Sequence, residues 1–190
     1  LATRVLVANA EKSYHNQLID ILKRSGYLVI AEQNESKGAL QAALKIEPDV
    51  IIIDDNLPGG SLSLARDIYD HNIAPVLIAT TYSEKDMIEI AKAAGVFGML
   101  LKPIHETSIL PAIETAINIF NNIKSLERDI KKLKQEIEQR KLVERAKGLL
   151  MDKKGFSEGE AFRYLQKVSM DKCVPISKVA KNIIAKLQVK

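Results

Sequence analysis

Four polar residues stand at the ends of short β-type runs in this chain: Asn9, Asp54, Thr80 and Lys102. An open parallel sheet gathers its ligands at the carboxyl ends of its strands. A carboxylate, a hydroxyl and an ammonium would therefore meet on one edge. Alone, Asp54 would read as a turn or capping residue. Combined with Thr80, and with Lys102 directly followed by Pro103, it reads as a binding constellation. Enzyme chemistry finds little support, because the chain has no P-loop and no paired catalytic carboxylates, and His15, His71 and His105 are scattered. Cys173 is the only cysteine, so an internal disulfide and a cysteine-based zinc site are excluded, as suits a reducing cytoplasm. No cofactor is expected.

The elements that must position these groups follow from hydrophobic period. Apolar, β-branched runs cover Arg4 to Ala8, Tyr27 to Ala31, Val50 to Asp54, Pro75 to Ala79 and Gly98 to Leu101. Between them lie amphipathic segments such as Tyr14 to Ser25 and Glu84 to Ala94, with apolar residues at spacings of three and four. Alternating strands and helices predict an α/β domain, a five-stranded parallel sheet doubly wound in the flavodoxin-like manner, over residues 1–118. The runs ending at Ala8, Asp54 and Ala79 are apolar almost throughout, as strands buried on both faces require.

From Thr107 the pattern is helical for more than forty residues. Ile123, Leu126, Ile130, Leu133 and Ile137 form a heptad seam with Ile at a and Leu at d, which favours a parallel two-stranded coiled coil over residues 119–141 and hence a homodimer. Asp129 and Glu136 at g would face Lys134 and Lys141 at e of the second chain. Arg140 and Glu144 then break the seam. Residues 142–190 read as a small three-helix domain, with a stop at Gly155, a capping box from Ser157 to Glu160 and a last helix beginning near Pro175.

The 190 residues are 46% apolar and 27% charged, the balance of a folded chain, and no apolar run is long enough to span a bilayer, so no membrane partner is expected. The opening LATRVLVANA carries no visible targeting peptide. The net charge of +4 hides a division: residues 1–115 hold 10 Lys and Arg against 15 Asp and Glu, whereas residues 116–190 hold 18 against 9. A polyanion is the partner such a basic tail fits.

PDVIIIDDNLPGG, PVLIATT and GVFGMLLKP resemble the response-regulator receiver domain. The resemblance implies that Asp54 is the phosphoacceptor-equivalent, served by a histidine kinase, with Thr80 bonding the phosphoryl oxygen, Lys102 pairing with its charge and the Lys102–Pro103 bond cis. Two positions of the pocket depart from that pattern. Where receivers carry two acids that hold Mg²⁺, this chain has Asn9 and Ala10, and Met99 replaces the usual switch aromatic. Mg²⁺ needs carboxylates. Asp55 points to the opposite face if the strand persists, and Glu11 lies a residue too far. An atypical receiver follows, not dependent on Mg-assisted phosphorylation, and either controlled by something other than phosphate, such as binding of another regulatory protein, or acting as a constitutive dimerisation or docking module.

LVERAKGLLMDKKGFSEGEAFRYLQKVSMDKCVPISKVAKNII closely resembles the ANTAR domain. That resemblance implies transcription antitermination by binding paired hairpins in nascent leader RNA, usually as a dimer. Arg145, Lys147, Lys153, Lys154, Arg163, Lys178 and Lys181 are the cations expected on the RNA side, and Phe162 and Leu165 are expected in the core. The alternative is a DNA-binding two-component response regulator phosphorylated at Asp54.

Overall fold

The computed structural model describes residues 2–81, 89 and 91–188, which divide into two compact units, Leu1–Lys124 and Ser125–Lys190. In the first, β1 (Arg4–Ala8), β2 (Leu28–Gln33), β3 (Val50–Asp54), β4 (Val76–Thr80) and β5 (Gly98–Leu101) form one parallel sheet in the order β2-β1-β3-β4-β5. Helices α1 (Lys12–Arg24), α2 (Ser36–Ile46), α3 (Ser61–Asp70) and the first turns of α4 (Glu106–Lys154) cover its two faces. The expected helix at Glu84 to Ala94 falls largely outside the described residues.

Successive side chains of a strand point to opposite faces, so each central strand feeds two cores. Val7, Ile52, Leu77 and Leu100 pack with Leu18 and Leu22 of α1 and with Ile109, Ile113 and Ala116 of α4. Leu6, Ile51, Ile53 and Ile78 pack with Ala39 and Ala43 of α2 and with Leu64, Ala65 and Ile68 of α3. This is why β3 and β4 are apolar up to their last residues. β2 runs two residues further than its apolar stretch, to Gln33, because it is an edge strand whose outer side tolerates Glu32 and Gln33. β4 ends on Thr80 rather than before it.

The second unit holds the rest of α4 with α5 (Glu158–Asp171) and α6 (Ile176–Gln188). Ala146, Leu150, Ala161, Leu165, Val179, Ala180 and Ile184 form its core. Gly155 ends α4 with φ +69°, a conformation open to glycine at little cost. The Ser157 side chain and the Glu160 side chain cap α5 reciprocally.

The heptad lies on one unbroken helix, and Leu126, Ile130, Leu133 and Ile137 are all more than half exposed. Ile123 departs from the expected seam: it is half-buried in the first unit, where it lines a groove with Tyr69, Val96 and Phe97. Leu165 is in the core as expected, but Phe162 is 44% exposed, because one turn of α5 supplies Ala161 and Leu165 to the core and carries Phe162 past its edge.

Ile52 is fully enclosed between strands and α1. Ile52→Ala is expected to cost about 2–5 kcal/mol, read as a lower urea midpoint at unchanged slope.

Candidate functional site

Strand order reverses at β1, so the crevice outside the sheet's carboxyl edge opens beside β1 and β3. Asn9 follows β1, Asp54 ends β3, Thr80 ends β4 and Lys102 follows β5. Asn9, Asp54 and Thr80 are buried, and the Lys102 side chain nearly so. The Lys102–Pro103 peptide is cis.

Lys102 Nζ donates to Asp54 Oδ2 at 2.5 Å and to Asp55 Oδ1 at 3.3 Å. The Thr80 hydroxyl donates to Asp55 Oδ2 at 2.7 Å, and the Asn56 amide N–H donates to Asp54 Oδ1 at 3.0 Å. Asp55 therefore does not turn to the opposite face. The strand stops at Asp54, residues 55 and 56 form a turn, and the alternation that would have carried Asp55 away no longer applies. Its main chain is held in that turn by Ala79 O, which accepts its N–H, and by Ser61 Oγ, which donates to its carbonyl.

Burial alone would raise the Asp55 carboxyl; the Thr80 hydroxyl and the Lys102 ammonium outweigh it and hold the group below its ordinary 3.8. Burial likewise opposes the Lys102 charge, and the Asp54 and Asp55 carboxylates outweigh it, holding the ammonium above 10.5. Tyr14 completes the site. Its ring lies 4.8 Å from Lys102 Nζ, a cation–π contact. Its hydroxyl is buried with no hydrogen-bond partner among the described residues, and burial, then the two aspartates, push its ionisation well up. Its place on the first turn of α1, four residues after Ala10, was the signal that could have found it.

The Mg²⁺ that the receiver resemblance implies does not fit this donor set. Asn9 Oδ1 accepts the Glu11 amide N–H at 2.7 Å, Ala10 has no side-chain donor, and both carboxylates already carry Lys102. Among the described residues no group of three or more His, Cys, Asp or Glu could hold a metal. Met99 is half-buried on β5, opposite Ile78.

In the second unit Arg145, Lys153, Lys154, Arg163, Lys178 and Lys181 are exposed. Lys147 is not one of them. Only 8% exposed, it donates to Glu144 at 3.0 Å and to Glu158 at 2.8 Å, and so ties α4 to the first turn of α5. Those hydrogen bonds, Glu158 first, hold its ammonium charged and the Glu158 carboxyl low. A groove of about 890 Å³ between α4 and the start of α6 brings Lys178 and Lys181 together with Lys131 and Lys134, beside Ile130 and Leu142. Lys131 escaped the sequence reading and Lys134 entered it only as a coiled-coil flank, because their grouping with α6 depends on tertiary packing.

A five-stranded parallel sheet with an acid, a hydroxyl and a lysine on its carboxyl edge defines a receiver, and the comparisons agree: residues 5–114 match the response regulator receiver domain and residues 131–184 the ANTAR domain. The chain belongs to the response regulators that carry a receiver followed by an ANTAR domain. It is 35% identical over 185 residues to the transcriptional regulatory protein PdtaR of Mycobacterium tuberculosis, covering 97% of this chain and 90% of that one. The aliphatic amidase regulator of Pseudomonas aeruginosa is 29% identical over 87 residues, 46% of this chain and 44% of that one. Among solved structures, the receiver domain of a modulated diguanylate cyclase from Desulfovibrio desulfuricans superposes with a TM-score of 0.59 at 23% identity, over 64% of this chain and 98% of that one. The chemotaxis protein CheY4 of Vibrio cholerae gives 0.57 at 25% identity, over 61% and 99%. Among the described residues no helix is long and apolar enough to cross a membrane.

Lys102→Met would leave two buried carboxylates without their cation, at an expected cost of about 3–5 kcal/mol near neutral pH. Asp55 titrates lower folded than unfolded, so its contribution is complete above 3.8 and is lost as pH falls through the folded value. The stability gap between wild type and Lys102→Met in urea titrations should therefore close as the pH is lowered past that window.

Proposed function

We propose that this chain is a cytoplasmic transcription antitermination regulator that binds hairpins in nascent leader RNA through its ANTAR domain. The observation that carries this reading is the basic, non-catalytic surface of that domain. Exposed Arg145, Lys153, Lys154, Arg163, Lys178 and Lys181 are joined by Lys131 and Lys134 on the groove wall. Phosphate neutralisation needs such cations, and loop bases stack on exposed aromatic faces such as Phe162 and Tyr164. The partners are RNA and a second copy of the chain, joined along Leu126, Ile130, Leu133 and Ile137, whose exposed apolar edges are the side chains a parallel coiled coil buries. Two modules on one dimer would engage two hairpins with the gain of effective concentration.

The receiver, with Asp54 as its phosphoacceptor-equivalent, acts without Mg-assisted phosphorylation, since Asn9 and Ala10 bring no carboxylate to a pocket whose two acids are already engaged by Lys102. Its input is a regulatory protein, a histidine kinase or another, recognised through protein contacts.

Competition of a two-hairpin RNA against duplex DNA at equal salt tests the RNA reading. The hairpins should win by at least tenfold, with an affinity that falls as salt rises; preference for duplex would overturn it in favour of a DNA-binding regulator. Arg163→Ala and Lys181→Ala should weaken hairpin binding with an unchanged melting temperature, whereas Lys147→Ala should lower the melting temperature itself. Ile130→Asp combined with Ile137→Asp should convert a dimer to a monomer in sedimentation; an unchanged sedimentation coefficient would refute the seam.

A further inference from the structure

We propose that Asp55 is a built-in occupant of the phosphoryl-recognition position. Its carboxylate engages the Thr80 hydroxyl and the Lys102 ammonium, the two donors that a phosphoryl group on Asp54 would need. The proposal rests on the reading of Asp54 as phosphoacceptor-equivalent in a receiver that works without Mg-assisted phosphorylation.

The geometry is that of a bound anion rather than of a stray surface acid. Each oxygen of the Asp55 carboxylate is held by its own donor, Oδ2 by Thr80 at 2.7 Å and Oδ1 by Lys102 at 3.3 Å, and Oδ1 also accepts from Asn56 Nδ2 at 3.2 Å. The side chain is only 8% exposed. Its backbone is fixed on both sides, by Ala79 O and by Ser61 Oγ, so the carboxylate is delivered to the pocket by the turn and not by a flexible stem. Lys102 reaches both acids at once, with Asp54 Oδ2 at 2.5 Å.

The charge arithmetic points the same way. One ammonium faces two carboxylates, so the pocket already carries one uncompensated negative charge. A phosphoryl group on Asp54 would add further negative charge beside Asp55, and the positions that could offset it hold Asn9 and Ala10. It would also have to displace Asp55 from Thr80 and Lys102, leaving a buried carboxylate without its donors, which is costly. Asp55 thus does two things with one side chain: it keeps Thr80 drawn inward as an anion would, and it excludes a phosphoryl group from the same donors. Because that hydrogen bond forms in the unmodified chain, the pocket holds its liganded arrangement without an input of phosphate.

The test is the rate of phosphoryl gain on the full chain, weighed intact during incubation with acetyl phosphate and Mg²⁺, for wild type, Asp55→Ala and Asp55→Asn. The second variant keeps the side-chain volume, and melting curves identify which variants are folded. Wild type should gain almost no label. The Asp55 variants should label at least tenfold faster, and Asp54→Ala combined with Asp55→Asn should abolish the gain. Folded Asp55 variants that label no faster than a quiet wild type would overturn the role of Asp55 and leave the quiet receiver standing. A wild type that labels to completion, with Asp55→Asn still tenfold faster, would overturn the quiet receiver and leave the role of Asp55 standing. Complete labelling of wild type with no acceleration in either variant would overturn both.

Discussion

The Lys102 ammonium stands between two buried carboxylates, and much of the first unit can be understood as the framework that makes this tolerable. At an effective dielectric near 20, opposite unit charges about 4 Å apart attract by about 4 kcal/mol, comparable to what desolvating each ion costs in a protein. The balance is helped by the further hydrogen bonds that each carboxylate accepts. Asp54 has the Asn56 amide, Asp55 has Thr80 and the Asn56 side chain, and the Lys102 ammonium lies over the ring of Tyr14. Those partners come from β3, β4, the turn after β3 and α1, so the register of the parallel ladder, in which Asp54 pairs with Ala79 and Thr80 with Leu101, sets the electrostatics.

The second unit applies the same physics to a different end. Lys147 is another nearly buried lysine shared by two acids, Glu144 and Glu158, but here the pair fastens two helices at the base of a small core. The cations left outside that contact face solvent. The division of the sequence into an acidic sheet domain and a basic helical tail thus has a structural counterpart: lysine spent inward where a core must be closed, lysine held outward where a polyanion can reach it.

Most of this was open to a reader of the residues alone, for identifiable reasons. Central strands buried on both faces leave uninterrupted apolar runs, so β1 and β3 could be bounded to the residue. Capping chemistry is local, so Gly155 and the Ser157–Glu160 box marked their helix ends. What stayed hidden depended on where regularity stops. Asp55 was assigned to the wrong side because period-two alternation was carried one residue past the last ladder pair. Lys147 looked like one surface cation among seven because Glu158, eleven residues away, joins its helical neighbour Glu144 on it only once α5 folds back. Phe162 shares a helix turn with core residues and still misses the core, a difference of helical angle that hydrophobicity does not encode. Ile123 fits the heptad, yet the receiver's own surface takes it first.

Thr80 and Lys102 together hold the Asp55 carboxylate in its charged form. Side-chain carboxyl ¹³C shifts followed over pH, in wild type and in Lys102→Met, measure this directly. Asp55 is expected to titrate below 3.8 in wild type and to move above it when the ammonium is removed. An Asp55 that titrates at or above 3.8 in wild type, and does not move in Lys102→Met, would contradict it.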